Sequence, residues 1–447
     1  MAQDFEVPFV RTRLSAQKIF ADPEMAKEFA TDSLAKVIAS AEKKKDEFLT
    51  EGNKQKDLEG LCSLFEEWKP DLVLAGLVTL GLAIMISKVH KVPVVSFTLQ
   101  HGRVCKTLKP MYMPKWLPKF TWRRVWTVFA FLLARSEFRQ SGSAMSKILG
   151  VPKAQLHLTA NDIMRYWAAQ ATFLSIIGTS EVVHGHLPED FNGNNVQIGA
   201  FMSPLEEEQS MSSFGSEEMQ AMQKFIDAGS APVYIGFGSI ICFTSKYMTL
   251  LCLRALRLTG ERGILCRGWS RMCLEDLQGE ADEEDLKAYC HEKVLFVDQA
   301  PHGWLFPKCQ VVVHHGGAGT LHASVRGGQP TLVAPIFADQ LHHSGLVNEK
   351  GFGVGLKSMQ KATPLEIADA IRKCINTPSI RAKAKEMGEQ MMKEDTQAKL
   401  VEVIQDYMES HIRTGKHMKM LEELEQEKGG CLAGCCSRSS GASSSNY

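Results

Sequence analysis

A chain of 447 residues with 44% hydrophobic content can bury a sizeable core, and its length favours two or three domains. Lysine plus arginine and aspartate plus glutamate balance at 51 each, so no global field argues for nucleic acid, and a charged partner must be met by a local patch. The start Met1-Ala-Gln-Asp-Phe-Glu has no basic and apolar signal regions, and the nine cysteines of the body form no CxxC pair; both point to reduced thiols in a cytoplasmic protein.

In chain order, residues 1–69 are mainly charged helix, with Glu24 to Leu49 mixing Ala, Lys and Glu with apolar residues at helical spacing. From Pro70, Asp-Leu-Val-Leu-Ala-Gly, then Gly81 to His90, then Pro93-Val-Val-Ser-Phe give strand, helix and strand. Continuous apolar strands joined by a helix belong to a parallel sheet covered on both faces. Leu72 to Ile86 is apolar throughout but falls short of the ~20 residues of a membrane helix. A further strand pair is expected around Ser175-Ile-Ile-Gly and Val196-Gln-Ile-Gly, closing a first domain at 1–201. Residues 202–230, rich in Ser, Glu, Met and Gln, suit a linker and a surface helix.

The second half, 231–412, alternates short β-rich runs (VYIGFG, ILCRG, VLFVD, QVVVHH, TLVAPI) with helix-length segments. That is the doubly wound α/β pattern, whose ligands lie at the carboxyl ends of the strands. At one such end stands VVVHHGGAGTLHASVRGGQPTLVAPIFADQ, Val311 to Gln340. Gly316, Gly317 and Gly319 permit a tight turn and a close approach of backbone to an anion, and a helix opening near Thr320 aims its N–H groups there. After Thr363-Pro-Leu-Glu three helical stretches run to about Thr414, and 413–447 is a charged helix followed by a Gly, Ser and Cys tail expected to stay unordered.

Together, PVYIGFGS (Pro232 to Ser239), TGERGILCRGW (Thr259 to Trp269), VDQAPHGWLFPKC (Val297 to Cys309) and the His-His-Gly-Gly turn resemble, in order and spacing, the donor half of the UDP-glucose:sterol glucosyltransferase family. The resemblance covers roughly Ser180 to Gly355 and is fainter from Pro70. It implies the GT-B fold, two facing Rossmann-like domains with parallel sheets, and transfer of a hexose from a UDP-sugar to a sterol or similar lipid hydroxyl with inversion and without a metal. The family's glycine-rich turn followed by Asp-Val-Gln-Pro is not found in residues 1–100, so the first domain is expected to be incomplete. A non-catalytic UDP-sugar-binding or scaffold protein, or a transferase for another hydrophobic acceptor, are the alternatives.

The resemblance implies that Gln299, Ala300 and His302 meet the nucleotide. It implies that Ser239, His315, Gly317, Ala318, Gly319 and Thr320 meet the diphosphate, and that Asp339 and Gln340 meet the sugar. Each has another reading. The glycines could mark only a turn, Ser239 could finish one, and Asp339 could cap the next helix. A metal held by the adjacent histidines is disfavoured because neighbours on a strand face opposite sides, and His322, His342 and His343 lack a ligand spacing. No Asp-x-Asp follows an apolar strand to hold a divalent cation, so the UDP-sugar is expected to act as co-substrate with no cofactor. For the missing base, His101 in Phe-Thr-Leu-Gln-His-Gly is the nearest substitute, with a structural histidine as the alternative.

On the acceptor side, Arg103 to Trp126 carries seven basic residues and no acid, interleaved with Tyr112, Trp116, Phe120, Trp122 and Trp126. The stretch suits an anionic membrane surface or, alternatively, a loop and helix packing their aromatics inside. Cys431, Cys435 and Cys436 could add acyl anchors. No nucleic-acid module is present, so RNA is not an expected partner.

Overall fold

The computed structural model describes residues 51–109, 116–202 and 216–436. The first unit contains α1 (Glu51–Trp68), β1 (Val73–Gly76), α2 (Leu80–His90), β2 (Val94–Thr98), α3 (Lys119–Leu149), α4 (Ala160–Met164), β3 (Ser175–Ile177), α5 (Glu181–His184) and β4 (Asn195–Gln197). Its four strands lie in the order β1-β2-β3-β4, all parallel, with Phe97 opposite Ile176 and Ile176 opposite Val196. The central strands are apolar on both sides because both faces are covered. On one face Leu80, Ile84, Trp126, Ala130 and Trp167 form a core; on the other Val95, Leu174, Ile176 and Ile198 pack with Tyr407. Each fully buried side chain of this kind contributes about 1.5–3 kcal/mol.

The long helix α3 begins after Pro118 and stops at Gly150, whose φ of 66° is the left-handed conformation that favours glycine. Its inner face repeats every four residues through Trp126, Ala130 and Ala134. This corrects part of the expectation for the basic-aromatic stretch. Arg103 is fully buried, bonding to Ser175 and, at 2.7 Å, to Thr98, and Trp126 is buried with its Nε1 donating to Leu108. Neither can touch a membrane. Tyr112 lies outside the described residues.

The second unit contains α6 (Ser216–Asp227), β5 (Val233–Gly236), α7 (Ser245–Thr259), β6 (Gly263–Cys266), α8 (Glu283–Lys293), β7 (Val294–Val297), α9 (His302–Leu305), β8 (Val311–His314), α10 (Ala318–Arg326), β9 (Thr331–Val333), α11 (Gln340–Lys350) and β10 (Gly353–Gly355). The six parallel strands are ordered β10-β9-β8-β5-β6-β7. From β5 the chain winds outward through β6 and β7, then returns to β8 on the other side. The direction of winding therefore reverses between β5 and β8, and the loops leaving these two strands diverge around a crevice. β10 has no sequence signature because two of its three residues are glycine. A Cβ on Gly353 would stand 1.9 Å from the Thr331 carbonyl oxygen, so the close strand contact demands that residue.

Then follow α12 (Pro364–Asn376), α13 (Pro378–Met391), α14 (Thr396–Tyr407) and α15 (Lys416–Cys436). Thr363 and Glu366 close a reciprocal capping box at the start of α12. α14 and α15 return to the first unit, where the Tyr407 hydroxyl meets His417 Nδ1 at 2.8 Å and the His417 ring stacks on Phe173. α15 runs on through Cys436, across glycines expected to be unordered, as a continuation of a charged helix already anchored by the buried Leu421. The side chains of Cys431, Cys435 and Cys436 lie outside the described residues. The nine cysteines of the body are free, and no described helix is long and apolar enough to cross a membrane.

Candidate functional site

At the end of β8, the His-His-Gly-Gly turn is built by histidines. Gly316 has φ of 93°, open to glycine, and its N–H donates to His314 Nδ1 at 3.0 Å. Its carbonyl accepts from His343 Nδ1 at 2.6 Å. His314 and His315 therefore divide the work: His314 is fully buried and shapes the backbone, while His315 faces the crevice. A Cβ on Gly238 would stand 3.5 Å from His315 Cε1, and one on Gly317 only 2.4 Å from His315 Nε2. Burial pushes His315 down to about 4 and His314 well below the usual histidine value, so both are neutral at neutral pH.

Gly317 is the N-cap of α10 and no side chain caps that helix. Gly317, Ala318 and Thr320 are half-buried and Gly319 is exposed, so the first-turn N–H groups look into the crevice with no acid beside them. A cavity of about 760 Å³ opens between the loops after β5, β6 and β7, and its wall reaches the turn through Gly238, the neighbour of His315. Gln299, Ala300 and His302 all line it, with Gly238. His302 is held by Phe306, stacked at 4.4 Å, and by the Tyr234 hydroxyl 3.3 Å from Nε2. Burial raises the Tyr234 phenol well above its usual value and pushes His302 down to about 4, so both are neutral at neutral pH. Ser239 is exposed in the loop directly after Gly238.

Asp339 precedes α11 and makes no capping bond with its side chain. Its carboxylate accepts from the Gln100 side chain, across the gap between the two units, and lies 3.9 Å from His343 Nδ1. Burial pushes the carboxyl up, against His343 and these hydrogen bonds. The preceding residue, Ala338, holds φ at 56°, a strained conformation outside glycine. Gln340 is buried, and its Oε1 accepts from the amides of Ile336 at 2.8 Å and Phe337 at 3.1 Å. Its carbonyl thus shapes the loop, and any contact to a ligand falls to Nε2. Gln340 Cα lies 3.5 Å from where a Cβ on Gly316 would sit, which joins this pair to the turn.

His101, from the loop after β2, sits at the gap, with the Gln197 amide 3.1 Å from its Nε2. Around it lies a seam of histidines that sequence spacing did not reveal. The His184 ring of α5 lies 5.0 Å from that of His101 and 5.3 Å from those of both His322 and His343. Neither ring nitrogen of His184 has a partner among the described residues. Burial, then repulsion from neighbouring histidines and, for His101, first from Arg103, pushes His184 well below its ordinary value, His101 to about 4 and His322 to about 3. Among the described residues no group of three His, Cys, Asp or Glu is arranged to hold a metal.

Sequence reasoning also missed Arg267 and Trp269 in the cavity wall and Gln100 on Asp339. Arg267 stands at the carboxyl end of β6, where the fold alone places ligand contacts. It pairs with Asp298 at 3.6 Å while its Nε has no partner.

Residues 278–409 match the family described as Erythromycin biosynthesis protein CIII-like, C-terminal domain. Over 179 residues the chain is 35% identical to a sterol 3-beta-glucosyltransferase of Kluyveromyces lactis, covering 40% of this chain and 14% of that protein. Over 184 residues it is 33% identical to a sterol 3-beta-glucosyltransferase of Arabidopsis thaliana, covering 41% of this chain and 28% of the relative. The chain thus matches well under a third of the length of these curated relatives. The glycotransferase of kitacinnamycin superposes with a TM-score of 0.52 at 17% identity, covering 78% of this chain and 81% of that one, which establishes the two-domain GT-B fold.

Proposed function

We propose that this chain, similar over about 40% of its length to sterol 3-beta-glucosyltransferases, binds UDP-glucose in the crevice of its second half. It transfers the glucose to the hydroxyl of a sterol or similar lipid on the cytosolic side of a membrane. The observation that carries the reading is one continuous line of contacts. The cavity with Gln299, Ala300 and His302 meets the turn at Gly238 and His315, the turn meets Gln340 at Gly316, and Asp339 reaches Gln100 of the first unit. A base, a diphosphate, a sugar and an acceptor would follow one another in that order.

In the transfer the acceptor oxygen attacks the anomeric carbon from the side opposite UDP. The bond to the diphosphate breaks and its electron pair leaves on UDP. The uncapped N–H groups of Ala318, Gly319 and Thr320 and the positive end of α10 meet that growing charge. The acceptor proton needs a base from the first unit. His101 is neutral, as a base must be, but its depressed basicity and its Gln197 partner make it a weak one. This favours, as the second reading, a UDP-sugar-binding protein whose base comes from elsewhere.

Incubation with UDP-glucose and membrane sterols, with mass spectrometry for steryl glucoside, tests transfer; calorimetric titration with UDP tests the grip. Product formation is expected. UDP binding without product leaves the second reading, and no UDP binding removes both. Asp339→Ala should weaken UDP-glucose about 10- to 100-fold through one lost charge-assisted hydrogen bond while changing UDP little. Equal losses for the two ligands would refute the sugar contact.

A further inference from the structure

The outward face of α3 belongs to no site described above. Phe120, Arg124, Val128, Phe131, Arg135 and Arg139 follow one another at helical spacing on one stripe, and all are exposed. Phe120 is 78% exposed, Val128 56% and Phe131 50%, and their alignment on one stripe makes a patch of what would singly be ordinary. Leu132 flanks the stripe on one side and Arg123 on the other. The single acid of the helix, Glu137, is turned away: it packs against Gly81 of α2 and accepts from the Ser141 hydroxyl. Arg123, Arg124, Arg135 and Arg139 make no ion pair among the described residues.

We propose that this face docks on an anionic lipid bilayer, lying in the interface rather than crossing it. The charge pattern selects the partner. A chain of zero net charge concentrates three guanidinium groups on one stripe and a fourth, Arg123, beside it, with no carboxylate from α3 among them, which complements a negatively charged surface. The phenylalanines between them select a bilayer over a nucleic acid backbone. Aromatic and aliphatic side chains enter the acyl boundary while the arginines remain at headgroup level. Beside the face lies a cavity of about 650 Å³ whose wall contains Arg123, with Val104, Met164, Ala168 and Leu424 apolar, Lys106 and Arg165 cationic, and one acid, Asp190, engaged by the Lys106 amide and the Thr107 hydroxyl. A lipid headgroup held at Arg123 therefore has a recess next to it. The sequence alone placed this property on Arg103 to Trp126. The fold keeps Phe120, Arg123 and Arg124 of that stretch on the exposed face, withdraws the buried Arg103 and Trp126, and extends the face along α3 to Arg139.

Docking does not rest on the proposed sugar transfer, and its assay contains no sugar donor. Sedimentation with phosphatidylcholine vesicles, with and without phosphatidylserine, is expected to show binding that requires phosphatidylserine and weakens with salt. Arg124→Ala combined with Arg135→Ala should lower the partition coefficient roughly 30-fold, the effect of two cations near an anionic surface. Phe131→Ser should weaken binding at high salt as well. All three positions are exposed, and unchanged circular dichroism and UDP titration confirm folding. Equal sedimentation of variants and wild type would overturn the proposal. So would binding to an oligouridine in place of vesicles, or a dimer mass that Phe131→Ser returns to the monomer.

Discussion

Gly317→Val should reduce UDP affinity at least 100-fold while leaving the fold intact. The backbone of Gly317, with φ of −60° and ψ of 143°, is open to any residue, so the substitution carries no conformational penalty. The damage is local. A Cβ there lies 2.4 Å from His315 Nε2, which forces the buried ring out of the crevice, and the second methyl covers the N–H groups of α10. A hydrogen bond to a charged group contributes about 1.5–3 kcal/mol, so losing one or two of them accounts for the expected factor. Gly319→Ala provides the contrast, because a Cβ there meets nothing. It should raise stability by up to about 1 kcal/mol through helix propensity yet still weaken UDP. Calorimetric titration and thermal melts on both variants separate the effects. Unchanged UDP affinity in Gly317→Val would remove the diphosphate from this turn.

Acidification should destabilise the protein steeply between pH 6.5 and 5. Burial holds His101, His302, His315 and His417 at about 4 and His322 at about 3, and pushes His184 and His314 well below the usual value. Unfolded, each would titrate near 6.5. Below that value the unfolded chain binds protons that the folded one refuses, so stability is fully present above pH 6.5 and is lost as the pH falls towards the folded values. Each such histidine contributes about 1 kcal/mol of loss by pH 5.5, and seven of them amount to several. Asp339, whose carboxyl is pushed up, has the opposite sign, but it is one group against seven. The urea midpoint at pH 5.5 should therefore fall well below that at pH 7.5. Equal midpoints would mean that these rings are hydrated or already protonated in the folded state.

The second half was legible in the sequence because its strands are short β-branched runs whose ends carry glycine, as in QVVVHHGG. Periodicity and turn chemistry agree there, and the structure puts Gln299 and His302 in one cavity wall with Gly238, which neighbours His315. What escaped depends on tertiary contact. β10 is made of glycines selected by a neighbouring carbonyl, and no propensity announces it. The seam around His184 joins residues more than a hundred positions apart, so no regular spacing along the chain announces the cluster. Arg103 and Arg124 are the same residue type in one basic stretch. Only the fold shows that the first bonds to Ser175 inside the domain while the second faces outward.

The two units are also joined where the Glu394 carboxylate accepts from both the Ser180 hydroxyl, at 2.6 Å, and the Ala200 amide, at 3.1 Å. Gly199, with φ of 100° and the Thr396 hydroxyl filling its Cβ position, fits the outgoing chain against the returning one. The N-cap residue Ser180 opens α5, so the bond that ties the returning chain to the first unit also fixes the helix that carries His184. The same short helix is thus tied to both units at once, as a clasp between them.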